Sequence, residues 1–493
     1  MILKLKDMKR IKIWSGLLVV CFMTGMLGSC TNQFEELNTD PNRLEQVNPG
    51  TLLSPILYEM ACFNYNRANS FTFDLMQVTL PFPSSAGGIH RYVVSETAGN
   101  STWTTYYRWL NNVKEMEESA ILYNSPNYRA IALTLRAWMY ANLTDCFGDV
   151  PMREACKGDE KLYQPEFDTQ QAVYEQVFAD LDTANVLFDE KTALTFGGDI
   201  LYEGTTAGIT KWRKFANSLH MRGLLRLSRR TEMNTLRRLA VMINDPVKYP
   251  VFESNEDAAL LPISGVVPYS TPIARPQDLT SYRAMAEFFV DHLNHNGDVR
   301  CAAWFGQAKD INGVSLGYKG IPSGHAGELN IDFTPSNINQ QLAKAPLKIV
   351  MMSYAEVEFI KAEMAQRGFI TEDAKTHYEA GIRASVGQWG ITADEAYFAD
   401  FFNKPGVVYD GTLERIMLQK YYGLFFCDYQ MWYEYRRTGF PALPRNDGML
   451  NNKIMPVRFK YPEVVQRINS KNYKAAVESM GGDDINTKVW WEK

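Results

Sequence analysis

Histidine is scarce in this chain, with six among 493 residues, and none lies in a His-Glu-x-x-His pattern. That removes the familiar zinc-hydrolase signature. His292 and His295 are three apart and can share a helix face, but no further ligand follows them, so they read as surface histidines. No Gly-x-x-x-x-Gly-Lys-Ser/Thr phosphate loop occurs, and no cofactor-binding motif is legible. Cysteine is sparse and scattered: beyond Cys21 and Cys30 there are Cys62, Cys146, Cys156, Cys301 and Cys427. An odd, dispersed set is not a disulfide framework. Cys146 and Cys156 are close enough in sequence to pair; otherwise these thiols serve as small buried hydrophobes. Basic charge is also short. A net charge of −5 and a pI near 5.8 leave no electrostatic footprint for nucleic acid. The N-terminal apolar run, Ile13 to Leu27, is shorter than the ~20 residues of a comfortable membrane span.

That run has its own meaning. Lys4, Lys6, Lys9, Arg10 and Lys12 precede it, and Leu27-Gly28-Ser29-Cys30 closes it. A cationic start, a short apolar core and small residues before a cut site read as a secretory signal over residues 1–29. Met8 can serve as the start without changing this. The cysteine after Leu-Gly-Ser resembles the lipobox of a bacterial lipoprotein, in which the thiol receives a diacylglyceryl group and the new amine is acylated. Two or more chains anchor a protein stably where one binds marginally. The polar, turn-rich stretch after Cys30, to about residue 50, reads as a tether, and residues 51–493 as the folded body.

The body's dominant pattern is helical. Ile131, Leu135, Trp138 and Asn142 fall at near-helical spacing and stop before Gly148-Asp149-Val150-Pro151. Val173, Val177, Leu181 and Leu187 form a second stretch behind the possible cap Thr169. Phe215, Leu219, Leu224 and Leu227 form a third, where Gly223 allows close backbone approach. Periodicity returns over 349–367, 374–385 and 413–437, the last apolar and aromatic nearly all round and so expected to be central. Two long segments, 249–282 and 297–346, are rich in Pro or in Gly and Asn and read as loops, a frequent seat of function. The tail, 455–491, reads as loop apart from a short helix near 464–468. The expected fold is all-α, or mostly helical, with helices in pairs and long decorating loops.

Several segments together resemble the SusD/RagB family of Bacteroidetes surface lipoproteins. They begin with Asn38-Thr39-Asp40-Pro41-Asn42 after the lipidated cysteine. Arg136-Ala137-Trp138 then leads to Leu143-Thr144-Asp145-Cys146-Phe147-Gly148-Asp149-Val150-Pro151. The helices Trp212-Arg213-Lys214-Phe215-Ala216-Asn217-Ser218-Leu219 and Ser353 to Glu363 with Arg367-Gly368 follow in order. Near the end come Glu414-Arg415-Ile416, Arg436-Arg437-Thr438-Gly439-Phe440-Pro441, Pro456 to Pro462 and Gly481-Gly482-Asp483-Asp484 with Trp490-Trp491. Asp298-Val299-Arg300 departs from the family's Asp-Pro-Arg, and Glu35 and Glu36 sit further along than in a strong surface-export signal. The resemblance implies a body of tetratricopeptide-like helix pairs with the ligand site on loops. It also implies outer-membrane anchoring, facing the cell surface, and a SusC-type TonB-dependent transporter as partner.

Sugar recognition needs flat aromatic faces and planar polar groups presented by loops on a rigid frame. The eligible loops, 77–101, 249–282 and 297–346, offer His90, Arg91, Tyr92, Tyr269, Arg275, Tyr282, Trp304 and Tyr318 as candidate ligand contacts. Trp103, Tyr106, Tyr107 and Trp109 start a helix and read as packing residues. Glu356, Glu358 and Glu363 with Lys361 read as structural ion pairs, with Arg415, Arg436, Arg437 and Arg458 as partners for those acids. Asp483-Asp484 lacks the alternation of a calcium loop and reads as a solvated turn. The expectation is a non-enzymatic glycan-binding lipoprotein that passes oligosaccharides to the transporter. The alternatives are an oligopeptide receptor of the RagB kind, a surface glycosidase, and a structural partner that touches no substrate.

Overall fold

A computed structural model describes residues 47–85 and 87–493; the signal segment, Cys30 and nearly all of the tether lie outside the described residues. The first helix, α1 (Pro49–Arg67), opens within the expected tether because Asn48 caps it, its side chain accepting from the Thr51 amide at 3.1 Å, and because Pro49 suits the first turn. Then come α2 (Asn100–Leu122), α3 (Pro126–Phe147), α4 (Gln170–Leu187), α5 (Thr206–Arg226), α6 (Thr235–Asn244) and α7 (Glu287–His295). The second half holds α8 (Tyr354–Gln366), α9 (Ala374–Gly387), α10 (Leu413–Gly423), α11 (Gln430–Thr438) and α12 (Ser470–Met480). Short links set α2 against α3 and α8 against α9 as helix pairs, and α3 packs on α4 along its length. The expected mostly helical architecture of paired helices is therefore present. Among the described residues, no helix is long and apolar enough to cross a membrane.

Local chemistry explains the helix ends. Thr169 caps α4 as expected, accepting from the Ala172 amide at 3.3 Å. A Cβ at Gly223 would come within 3.0 Å of the Phe178 ring, so α5 and α4 approach as closely as that glycine permits. α3 is buried on nearly every side, which matches its apolar composition. All five described cysteines are free; Cys156 is half-buried and the other four are buried, so Cys146 and Cys156 form no disulfide.

Three expectations require correction. Residues 349–352 are not helical: Leu347–Met352 is a strand antiparallel to Ala259–Ile263, and Ser353 then caps α8, accepting from the Glu356 amide at 3.1 Å. A short apolar run with Ile349 and Val350 fits a strand as well as a helix, and periodicity alone does not separate them. The stretch 413–437 is two helices broken at 424–429, where Phe426 (φ 61°) and Asp428 (φ 33°) take left-handed backbone conformations. The tail carries α12 as well as the expected short helix, Glu463–Ile468. In chain order the strands used below are β1 (Thr79–Pro81), β2 (Ala259–Ile263), β3 (Arg283–Met285) and β4 (Leu347–Met352), pairing as β1 with β3 and β2 with β4.

A buried ionic network holds the helices in register. Glu434 of α11 accepts from Arg226 (2.5 Å), Lys420 (2.7 Å) and Arg437 (2.7 Å). Arg437 also grips Glu363 of α8 through both Nη atoms, at 2.7 and 2.6 Å. Arg437 thus pairs with one of the acids expected for it. The other arginines find different partners: Arg415 takes Asp410, Arg436 takes Glu492 and Arg458 takes Asp483, while Glu356 is held by Arg222. Asp483 is therefore an ion-pair member and not a solvated turn residue. Burial pushes the Glu434 carboxyl up, but Arg437, Lys420 and Arg226 outweigh it and hold the group well below the ordinary range. Asp298 and Arg300, on either side of Val299, form a fully buried pair at 2.6 Å.

Candidate functional site

Loop 264–272 is pinned onto α1. The Tyr58 hydroxyl donates to the Ser270 carbonyl at 2.8 Å, and the Asn66 amide donates to the Pro272 carbonyl at 3.3 Å. Within the loop the Gly265 amide donates to the Tyr269 carbonyl at 3.0 Å and the Tyr269 amide to the Val266 carbonyl at 2.8 Å. The Tyr269 ring then lies edge-on to Tyr58, centroids 5.5 Å apart. Burial pushes the Tyr58 phenol up to about 12, so it stays a neutral donor. Further along, the turn 276–280 packs on the turn 340–343, with the Gln340 amide donating to Thr280 Oγ1 at 3.0 Å.

These loops close one side of a cleft of about 660 Å³. Its floor is core: Tyr65 of α1 stacks on Phe426 with centroids 4.5 Å apart and planes 7° apart, and both line the cleft. The left-handed turn between α10 and α11 is what brings Phe426 there. The β2–β4 ribbon supplies one wall, with Pro262 opposite Lys348 and Ile263 opposite Leu347. Gln341 and Leu342 supply another, and Gln388-Trp389-Gly390, just past the end of α9, a third. The Trp389 ring is half-buried. The Gln388 Oε1 atom is buried and accepts no hydrogen bond. Among the described residues, no Asp or Glu lines the cleft. A pocket of this size with aromatic faces, planar amides and no carboxylate suits a hydroxyl-rich ligand, and it lacks the carboxylate pair of a glycosidase.

The eight residues expected from sequence fall in different places. Tyr269 lines the cleft. Trp304 is fully buried one layer behind it, edge-on to Trp389 at 5.8 Å and against Phe425 at 4.5 Å, so core side chains cover its faces. Tyr282 is 85% exposed on a left-handed residue (φ 56°) near the 276–280 turn. The next residue, Arg283, holds it there by donating to the Asn69 carbonyl at 2.6 Å and pairing with Asp74. Arg275 is exposed and paired with Asp278 at 2.8 Å, and Tyr318 is half-buried, edge-on to Phe305.

His90, Arg91 and Tyr92 are buried in a separate loop cluster. His90 Nε2 lies 3.3 Å from the His325 carbonyl, and Arg91 Nε donates to the Gly448 carbonyl at 2.5 Å. Burial lowers the His90 pKa to about 4, so this ring is neutral. These three side chains are consequently packed away and present no open face. His292 is not a surface residue either: it is half-buried and stacks on Tyr422 at 5.8 Å, while His295 is exposed.

Sequence reasoning missed Trp389, Gln388, Gln341, Lys348 and Phe426. Only Trp389 carried a signal, an aromatic set between Gly387 and Gly390 directly after a helix. The chain also contains one Gly-x-Ser-x-Gly spacing, Gly313-Val314-Ser315-Leu316-Gly317. It lies on an exposed hairpin and not on a strand-to-helix elbow, and the Ser315 hydroxyl donates to Gln307 Oε1 at 2.7 Å. Among the described residues, no cluster of three or more His, Cys, Asp or Glu could hold a metal ion.

A family profile described as SusD-like, starch-binding and associating with the outer membrane matches residues 41–462. The chain belongs to the SusD-like family. A SusD homologue from Bacteroides fragilis has a TM-score of 0.77 and 25% identity, covering 91% of this chain and 100% of its own. A chitin-binding protein has a TM-score of 0.76 at 25% identity, covering 90% and 100%. A chitin-binding SusD homologue from Flavobacterium johnsoniae has a TM-score of 0.75 at 22% identity, covering 90% and 98%, and at that identity it speaks for the fold alone. No curated protein matches the chain. The family is described as starch-binding, and the relative at 25% identity with a TM-score of 0.76 as chitin-binding.

Proposed function

We propose that this protein binds oligosaccharides in the cleft behind Tyr269 and Trp389 without converting them, and hands them to a SusC-type TonB-dependent transporter. The cleft itself carries the reading. Two aromatic side chains, the free amides of Gln341 and Gln388 and a volume of about 660 Å³ fit a short glycan. Among the described residues, no lining carboxylate is placed to cut one. Membership of a family described as starch-binding and outer-membrane-associated supports it, as does a chitin-binding relative. Tyr282, exposed beside the 276–280 turn, extends the binding face beyond the cleft.

The test is calorimetry of the detergent-solubilised full-length protein against a panel of oligosaccharides and oligopeptides, with chromatography of the ligand afterwards. Saccharide binding with the ligand recovered intact supports the proposal. Released product overturns the non-catalytic part, and binding of peptides alone moves the protein to the oligopeptide-receptor reading. Anchoring is tested separately. Cys30→Ala is expected to abolish fatty-acid labelling and release the protein from membranes; unchanged membrane retention with no label on the parent protein would refute the lipid anchor. External protease on whole cells reads surface display, and co-purification of a β-barrel transporter reads the partnership.

A further inference from the structure

The charge on the cleft wall narrows the ligand, given that the cleft takes a saccharide as proposed above. Among the described residues that line the cleft, Lys348 alone carries a formal charge, and no carboxylate accompanies it. Its side chain is exposed, and its ammonium forms no ion pair with any described residue. Directly across the ribbon stands Pro262, whose side chain can offer the ammonium nothing. Two groups at the cleft are therefore unfilled and of opposite demand. The buried Gln388 Oε1 needs a donor, and Lys348 Nζ needs an acceptor, best an anionic one.

A neutral sugar can meet both only through hydroxyls, which leave the charge of the ammonium uncompensated. A sugar carrying a carboxylate or a sulfate ester satisfies both, while its C–H faces still meet Tyr269 and Trp389. We infer that the cleft selects acidic oligosaccharides, with the ligand's anionic group placed on Lys348. The absence of Asp and Glu from the lining works in the same direction, since nothing there repels an anion.

The experiment is calorimetry of the full-length protein in detergent against short oligosaccharides of three kinds. These are hexuronic acids (galacturonic, glucuronic, mannuronic), sulfated galactose, and neutral glucose, xylose and N-acetylglucosamine. An acidic member should bind most tightly, and whether it bears carboxylate or sulfate identifies the anionic group. Lys348→Met should weaken that ligand about five- to twentyfold, and Lys348→Arg should restore most of the loss. Added salt should weaken wild-type binding and leave the methionine variant nearly unaffected. Lys348 is exposed, so neither substitution disturbs the core. The inference is overturned if a neutral oligosaccharide binds as tightly as any acidic one, or if Lys348→Met keeps wild-type affinity. A neutral preference would leave the proposed function standing; binding of no saccharide at all would overturn both.

Discussion

Glu434→Ala is expected to lower the unfolding free energy by about 3–5 kcal/mol, a large part of what holds a domain together. Glu434 is where three cations converge, and its removal leaves Lys420, whose side chain is 2% exposed, without another ion-pair partner among the described residues. A buried, uncompensated ammonium costs far more than the net worth of the pair that neutralised it. Urea unfolding of the variant measures the loss, and Glu434→Ala combined with Lys420→Met should recover part of it by removing the stranded charge. A loss below about 1 kcal/mol, the scale of a surface pair, would mean that the network is solvated. The same group gives an acid dependence. Its carboxyl is held below the ordinary glutamate value of 4.5, so its stabilising contribution is complete above that pH. It drains away as pH falls toward the folded-state value, because the unfolded chain then takes up the proton first. Wild type should thus lose stability on acidification below 4.5 more steeply than a Glu434→Gln variant.

The second large effect separates two tryptophans that sequence does not distinguish. Trp304→Ala is expected to cost about 3–5 kcal/mol of stability, since it empties a fully buried site among Phe289, Phe425 and Trp389. Trp389→Ala removes a half-buried ring at the cleft. It should lower oligosaccharide affinity by about 1–2 kcal/mol, roughly tenfold, with a much smaller shift in the unfolding midpoint. Calorimetry and thermal unfolding on both variants make the comparison. If Trp389→Ala bound as wild type, or Trp304→Ala unfolded at the wild-type temperature, the assignment of one ring to ligand and the other to core would fail.

Much of the frame was legible because helices announce themselves through period and punctuation. Val173, Val177 and Leu181 behind the Thr169 cap needed nothing beyond local chemistry, and neither did the close approach at Gly223. The failures lie where local signals are degenerate. Ile349 to Met352 is apolar on successive residues, and only its partner Ala259–Ile263, some ninety residues earlier, makes it a strand. Phe426 and Asp428 sit in an aromatic-rich stretch where Gly423 is the one turn residue before the break, and the two positions that take the left-handed conformation are neither glycine nor asparagine. The site was harder still. Aromatic type and loop position put Trp304 and Tyr92 among the candidates although both are core, whereas Tyr269, chosen on the same grounds, lines the cleft. Gln341, Lys348 and Gln388 have no motif at all; they matter because tertiary structure sets them around one hollow.

The left-handed break between α10 and α11 bears on how such a protein can change. It plants Phe426 as an immovable floor tile, clamped by Tyr65 beneath the hollow, while Tyr269 and Gln341 arrive on separate connecting segments and Lys348 on the exposed face of the β2–β4 ribbon. Ligand choice and structural integrity are thereby inscribed in different stretches of chain. A mutational library confined to the exposed positions of 264–272 and 340–346, with Lys348, would vary what is captured and leave the frame untouched. Randomising 424–429 would collapse both at once.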